Sequence, residues 1–185
     1  MTKHLDLTGL PRFLAHLEAR DASSAHFARL LLDSGCVPVG FWGPVQMDVW
    51  ELRIRRGAAI VRFGVERGYS DGLMIGPPTG SDSWTSFVPM NLAVVAWAGA
   101  NAYALRLDDP SVVNVDLQEV GLAVVDWVGD GHEEAIDRVR QAWKTYHEKE
   151  GRLRRRTNGH PTPAQLNASR AAGAAAMQAA ATPST

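Results

Sequence analysis

Apolar and charged residues alternate over a stretch near the middle of the chain, VWELRIRRGAAIVRFGVERGYSDGLMIGPP, residues 49–78. In WELRIRR every second residue is apolar, and these residues are Trp50, Leu52 and Ile54. A period of two is typical of a strand with one buried face. Gly57 predicts a short turn, AAIVRFGVE predicts a second strand, and LMIG predicts a third strand. Gly64 in the second strand predicts a bulge or a close backbone approach. The stretch therefore predicts an antiparallel meander.

The N-terminal part has helical spacing instead. Residues 10–35, LPRFLAHLEARDASSAHFARLLLDSG, repeat apolar residues every three or four positions. This spacing predicts two short helices, or one helix broken near residues 21–24, where an acidic or hydroxyl side chain is expected to cap the second helix. Gly35 is expected to end that helix in the left-handed conformation. The loop expected next is marked by Pro38, Gly43 and Pro44.

Helical patterns return after the meander. Residues 88–106 predict a buried helix that starts near Pro89. Residues 111–131 have a β-rich first half and an apolar second half that fits a strand or a buried helix. Residues 132–156 predict an amphipathic helix with an apolar stripe at Ile136, Val139, Trp143 and Tyr146. The sequence therefore predicts an α+β fold, in which N-terminal and C-terminal helices pack on one face of an antiparallel meander.

Composition and charge divide the chain into segments. The 185 residues are 45% hydrophobic, enough for one sizeable core, and we expect a single globular domain over residues 1–150. Residues 1–130 hold ten basic and fifteen acidic side chains, whereas residues 131–185 hold nine basic and five acidic ones. Residues 151–163 are predicted to be a basic linker containing Pro and Gly, and residues 164–185 an alanine-rich tail, a frayed helix or disordered.

Cysteine usage and hydropathy limit the classes of protein. Cys36 is the one cysteine, so an intramolecular disulfide is excluded and we expect a small buried apolar residue there. The chain has no run of about 18 uncharged apolar residues and no secretory leader pattern. We therefore expect a cytoplasmic protein with no membrane partner.

Patterns of catalysis and metal binding fail at identifiable residues. His132-Glu133-Glu134 begins like a zinc-binding helix, but Ile136 stands where the second histidine is needed. The segment GPPTGSDSW lacks the lysine of a phosphate-binding loop, and no G-x-S-x-G elbow occurs. The sequence therefore predicts no catalytic residue, no cofactor and no metal, and an enzyme would need residues dispersed along the chain.

Surface recognition is the function that these exclusions leave. Arginines of the predicted strands are expected on an exposed sheet face, and these are Arg53, Arg55, Arg62 and Arg67. Aromatic residues in the flanking loops are Trp42, Tyr69 and Trp84. Aromatic and arginine side chains are frequent anchors of protein interfaces. Solvating arginines and core tryptophans are the alternative interpretation, and aspartates near turns, such as Asp71 and Asp82, fit turn chemistry as well as a basic partner.

The segments FARLLLDSGCVPVG, WELRIRRGAAIVRFGVERGYSDGLMIGPP and SDSW, within residues 27–100, resemble small actinobacterial immunity-type proteins of polymorphic or contact-dependent toxin systems. The resemblance implies a cytoplasmic, non-catalytic bacterial protein that occludes the active site of a cognate toxin. We expect the partner-binding anchors to be Trp42, Arg62, Tyr69 and Trp84. Asp71 and Asp82 are expected to speed association with a basic, nuclease-like toxin.

Two alternatives use the C-terminal part of the chain. A nucleic-acid-associated protein would contact phosphates through a basic cluster, whose members are Lys149, Arg152, Arg154, Arg155 and Arg156. An assembly or scaffold subunit would instead pack the alanine-rich tail, as an ordered helix, against a neighbouring copy.

Overall fold

The computed structural model describes residues 5–45, 48–67, 69–77 and 87–182. Their helices are α1 Leu10–Glu18, α2 Ala22–Asp33, α3 Met90–Ala100, α4 Leu117–Gly129, α5 Glu133–Arg156 and α6 Pro163–Ala181. Their strands are β1 Val37–Val45, β2 Val49–Arg56, β3 Ala59–Glu66, β4 Tyr69–Gly76 and β5 Val88–Pro89. The chain divides into two compact units, Met1–Met90 with Asp116–Gly131, and Asn91–Val115 with His132–Thr185.

The first unit contains an antiparallel sheet whose strands follow one another in sequence order, β1-β2-β3-β4-β5. Gly57, with a φ of +54°, lies in the turn that joins β2 and β3. The register pairs Leu52 with Phe63 and Glu51 with Gly64 without interruption. Between β3 and β4 the register shifts where Phe63 pairs with Leu73 and Val65 pairs with Ser70, so the extra residue lies in β4 and not at Gly64 of β3. The α+β class and the antiparallel meander are therefore confirmed.

Three helices cover the apolar face of this sheet, because α1, α2 and α4 bring large side chains to it. The ring of Phe13 in α1 lies 6.0 Å from that of Trp50, and the ring of Phe27 in α2 lies 6.2 Å from that of Phe63. A Cβ added at Gly121 of α4 would stand 2.3 Å from Phe27 Cε2. Only glycine allows α4 to approach α2 this closely.

Side-chain contacts hold the ends of these elements. The carboxylate of Asp21 accepts the backbone N–H of Ser24 at 3.0 Å and caps α2, as expected of a short acidic side chain at this position. Gly35 follows α2 with a φ of +77°. Arg56, at the end of β2, donates to both carboxylate oxygens of Asp126 in α4 at 2.6 and 2.7 Å. Cys36 is buried, as predicted.

The expected loop at residues 38–44 was wrong, because these residues form most of β1. Proline is tolerated in β1 because β1 is an edge strand and has a neighbouring strand on one side only. On the other side no strand is present, so a missing N–H group removes no hydrogen bond there. The pairing with β2 is also irregular, with register shifts between Pro38 and Gly40 and between Trp42 and Val45. The Gly43–Pro44 peptide bond is cis.

The β-rich segment after α3 contributes a single isolated bridge, between Asp109 and Val112. The carboxylate of Asp116 then accepts the backbone N–H of Gln118 at 2.8 Å and begins α4. This cap resolves the ambiguity of the apolar residues that follow, because a helix started at Asp116 buries Val120, Val124 and Val128 on one side.

The second unit contains most of α3 together with α5 and α6, and its boundaries differ from the predicted ones. Residues 151–156, expected in a linker, continue α5, and residues 163–181 form α6. Thr162 and Gln165 form a capping box at the start of α6. Glycines allow α6 to approach its neighbours closely. A Cβ added at Gly173 would stand 2.5 Å from Tyr146 Cδ2, and a Cβ added at Gly99 would stand 2.6 Å from Ala181 Cβ. Alanine and glycine therefore let α6 pack closely, and Met177 adds a large apolar side chain that is fully buried.

In the described part of the chain, no helix is both long enough and apolar enough to cross a membrane.

The packing of α6 against α5 predicts opposite effects for two glycine substitutions. Gly173→Ala introduces a Cβ within 2.8 Å of both Tyr146 and Pro110, so we expect the free energy of unfolding to fall by about 1–3 kcal/mol. Gly151→Ala lies in the interior of α5, where the nearest atom is Arg155 Nη1 at 3.6 Å. It should raise the free energy of unfolding by up to about 1 kcal/mol. Urea unfolding followed by circular dichroism measures both, and equal effects would contradict the docking of α6.

Candidate functional site

Exposed apolar side chains gather on the edge strand. Six large apolar or aromatic side chains are strongly exposed in the part of the chain that the structure describes, and four of them lie in β1: Val37, Val39, Trp42 and Val45. The other two are Tyr69 and Val112. We call the four residues of β1 the edge surface. An edge strand also presents backbone groups along its outer side, so this surface combines apolar area with hydrogen-bonding capacity.

Next to the edge surface, the sheet carries a buried polar network centred on Glu51. The carboxylate of Glu51 accepts Arg53 Nε at 2.6 Å, Arg62 Nη1 at 3.4 Å and Trp42 Nε1 at 3.3 Å. Glu51 is 3% exposed and Arg62 is 4% exposed. Burying a charge is unfavourable unless it is paired and hydrogen-bonded, and this carboxylate has two cationic partners and an indole donor.

The register of the sheet explains how these side chains meet. Trp42 pairs with Glu51 across β1 and β2, and Arg53 pairs with Arg62 across β2 and β3, so all four side chains share one face. Gly64 stands directly opposite Glu51, and a Cβ added at Gly40 would lie 3.4 Å from Arg53 Cδ. Small residues on both sides therefore leave space for the network.

An aromatic ring completes this cluster. The guanidinium carbon of Arg53 lies 6.0 Å from the centroid of the Phe87 ring, and that of Arg62 lies 5.9 Å from it. These distances are at the limit of a favourable cation–π contact. The ring therefore adds an aromatic contact to the two cations that share Glu51.

The structure separates the predicted anchors. Trp42 is 41% exposed and Tyr69 is 77% exposed. Tyr69 pairs with Glu66, which lies two residues after Gly64, so the side chain of Tyr69 is on the same face of the sheet as that of Trp42. The two residues are three strands apart, which is about 14 Å measured across the strands. Arg62 was predicted to be an exposed anchor, and this was wrong, because the residue is buried and its guanidinium pairs with Glu51. Asp71 lies in β4, but its side chain, Asp82 and Trp84 lie outside the described residues.

The predicted nucleic-acid cluster lies in the last turns of α5, and part of its charge is neutralised there. Arg152 pairs with Glu148 at 3.4 Å, and Arg154 pairs with Glu150 at 2.6 Å. The hydrogen bonds from Arg154 and then Tyr146 lower the pKa of Glu150 below its usual value. Glu150 therefore remains ionised and offsets one of the five positive charges.

Sequence reasoning missed a polar cluster that holds the turn between β1 and β2 against α1. His16 Nε2 lies 2.5 Å from a carboxylate oxygen of Asp48, and Trp50 Nε1 donates to the other at 2.9 Å. These hydrogen bonds, that of Trp50 first, lower the pKa of Asp48. Arg20 contacts the remaining ring nitrogen of His16 at 3.0 Å. His16 and Asp48 are 32 positions apart, so no local pattern relates them.

The remaining histidine of the N-terminal helices has a different partner. His26 Nε2 lies 3.4 Å from Glu18 Oε1, so His26 and His16 each face an acid of their own. Among the described residues, no group of three or more histidine, cysteine or acidic side chains is arranged to hold a metal ion.

The Glu51 network predicts a large loss of stability when its carboxylate is removed. Glu51→Ala leaves two guanidinium groups beside a buried gap, so we expect the free energy of unfolding to fall by about 3–5 kcal/mol. Glu51→Gln keeps one acceptor oxygen and should lose less. Glu66→Ala in β3 removes the exposed pair with Arg67 at 3.5 Å and should cost less than about 1 kcal/mol. Chemical denaturation of the three variants tests this order, and similar losses for Glu51→Ala and Glu66→Ala would refute it.

Comparison with known proteins gives no family for this chain: no protein-family model, no curated protein and no solved structure matches it.

Proposed function

We propose that this chain is a non-catalytic protein-binding module that engages a partner protein through the edge surface of β1. The observation that carries the proposal is the concentration of exposed apolar side chains in one edge strand. Contiguous exposed apolar area commonly marks an interaction site. An edge strand adds main-chain hydrogen bonds, as when a partner extends a sheet with a strand of its own.

The edge surface favours a particular geometry of contact. Pro38 and Pro44 have no N–H group, so continuous pairing with a partner strand is limited to residues 39–43 between them. Trp42 lies in this interval, half-exposed and oriented by its hydrogen bond to Glu51. A tryptophan held in place before binding loses little conformational entropy, which makes it the best anchor of this surface.

Charge beside the edge surface indicates what the partner presents. Arg55, which pairs with Val37, is exposed, and Arg53 is a quarter exposed. Glu51 is buried between its cationic partners and contributes little to the outer potential. These charges favour a partner that brings acidic residues next to the strand or loop it places on β1.

The immunity function implied by the sequence resemblance is the finer form of this proposal. In that form the partner is a bacterial toxin, and the edge surface covers its active-site cleft. The residues expected to favour a basic toxin, Asp71 and Asp82, have no described side chains, so the described charges support an acidic contact region on the toxin.

Site-specific photocrosslinking in cells tests the binding surface without knowledge of the partner. Benzoylphenylalanine in place of Val39 should crosslink a discrete partner protein, because Val39 lies in the edge surface. The same substitution at Val112, an equally apolar residue that is 51% exposed against 39% for Val39, is the control and should give no such product. Equal crosslinking at the two positions would contradict the assignment of the surface.

The immunity form is tested with the protein encoded by the neighbouring gene. Trp42→Ala should weaken its binding by at least about 30-fold in calorimetry, equivalent to about 2 kcal/mol, and should abolish protection in a growth assay. Val112→Ala should change neither. If the neighbouring product does not bind while Val39 still crosslinks another protein, the immunity form fails and the binding module remains.

A further inference from the structure

The second unit contains a groove between α5 and α6 with a volume of about 500 Å³. Small side chains of α6 form its floor: Ala172, Gly173, Ala176 and Ala180. On the side of α5 it is lined by Ala142 and Thr145, with Arg138 towards one end and Lys149 towards the other. The groove is thus lined mainly by apolar atoms, and α5 contributes the cations Arg138 and Lys149.

A second, shallower cavity of about 230 Å³ extends the groove beyond Lys149, where Arg152, Leu153 and Arg156 line it. The residues Arg138, Thr145, Lys149, Arg152 and Arg156 are separated by three, four or seven positions. They therefore lie on one face of α5. From Arg138 to Arg156 this face is about 27 Å long, the length of five helical turns.

The positive charge of this face is only partly compensated by described contacts. Arg138 donates to the carbonyl oxygen of Ala180 at 3.3 Å, a bond that leaves its formal charge in place. Arg152 is neutralised by Glu148 at 3.4 Å. Lys149 and Arg156 add two further cations near the end of the groove. The rim therefore has a net positive charge over an apolar floor.

We propose that this groove binds an acidic amphipathic helix of a partner protein. The alanines of α6 that line the groove, Ala172, Ala176 and Ala180, leave space for leucine or phenylalanine side chains from such a helix. Its glutamate or aspartate side chains would lie beside Arg138, Lys149 and Arg156. This surface belongs to the second unit and its residues are distinct from those of the edge surface, so the inference goes beyond the proposed function.

A second copy of the chain fits this groove poorly. The same face of another molecule presents alanine, glycine and threonine, which leave the holes unfilled. It also presents Arg138, Lys149 and Arg156 again, so that cations would meet cations when two copies face each other. Charge and side-chain size both favour a partner of different sequence.

Fluorescence anisotropy with the full chain tests the proposal. The probe is a labelled helical peptide of about 20 residues, about 30 Å long, with leucines on one face and glutamates on the other. The matched probe has lysine in place of every glutamate. We expect the glutamate peptide to bind at least about tenfold more tightly than the lysine peptide, with an affinity that falls as salt rises.

Paired variants locate the binding to the groove. Ala176→Glu places a carboxylate in the groove and should weaken binding of the glutamate peptide at least about tenfold. Ala175→Glu, at a position that is exposed like that of Ala176 but does not line the groove, should leave binding within about twofold. Lys149→Glu should weaken binding in the same way, and Lys144→Glu, outside the groove, should not. Circular dichroism melts verify that all four variants are folded.

Several results would overturn the proposal. These are absent binding, equal affinity for the two peptides, or equal effects of Ala176→Glu and Ala175→Glu. Sedimentation showing a dimer that Ala176→Glu disrupts would assign the groove to a second copy. Displacement of the glutamate peptide by dodecanoate or by a single-stranded oligonucleotide, with loss of that competitor's binding in Lys149→Glu, would assign it to a small amphiphile or to nucleic acid.

Discussion

The carboxylate of Glu51 is the contact on which the organisation of the sheet depends. It lies almost completely buried, and it is shared by two guanidinium groups and the indole of Trp42. Without it, two cations would face each other across β2 and β3 in a poorly hydrated position. With it, one face of the sheet becomes a connected polar layer, while the opposite face packs against helices through aromatic rings. The two faces therefore differ in chemistry, and the strand register cannot slip without bringing charges into the apolar core.

This arrangement also gives the edge strand its properties. β1 is held by β2 on one side, and Trp42 is oriented by Glu51, so the exposed apolar residues of β1 stand on a rigid support. The prolines that interrupt its outer edge also limit indiscriminate strand pairing, a common protection of edge strands. Rigid support, exposed apolar area and restricted pairing are the properties that the proposed binding of a partner through β1 requires.

The helices of the second unit pack by close approach of their backbones at small residues. Alanine and glycine in α6 bury little area per residue, but they allow backbones to approach at Gly99 and Gly173 to distances that any larger residue would prevent. Gly173 and its neighbouring alanines in α6 also line the groove between α5 and α6. Cations along α5 then give that groove a charge preference, so one compositional feature both stabilises the helix pair and shapes its surface.

The sequence by itself determined the elements whose signals are local. Alternation placed β2 and β3, and helical spacing placed α1, α2 and α5. A cap of α2 was expected at Asp21, Ser23 or Ser24, and the structure shows that Asp21 is the cap. Pairing across the sheet was not visible in the same way. Prolines in β1 favour a loop unless the strand is known to lie at an edge of the sheet. Arg62 was predicted to be a surface residue because the sequence does not show that its guanidinium contacts the carboxylate of Glu51. The order of α6 likewise depended on close approaches at Gly99 and Gly173 to residues far away in the chain. Local periodicity reports which side of an element is apolar, whereas edge position, burial of a charge and helix docking are decided by partners that only the tertiary structure brings together.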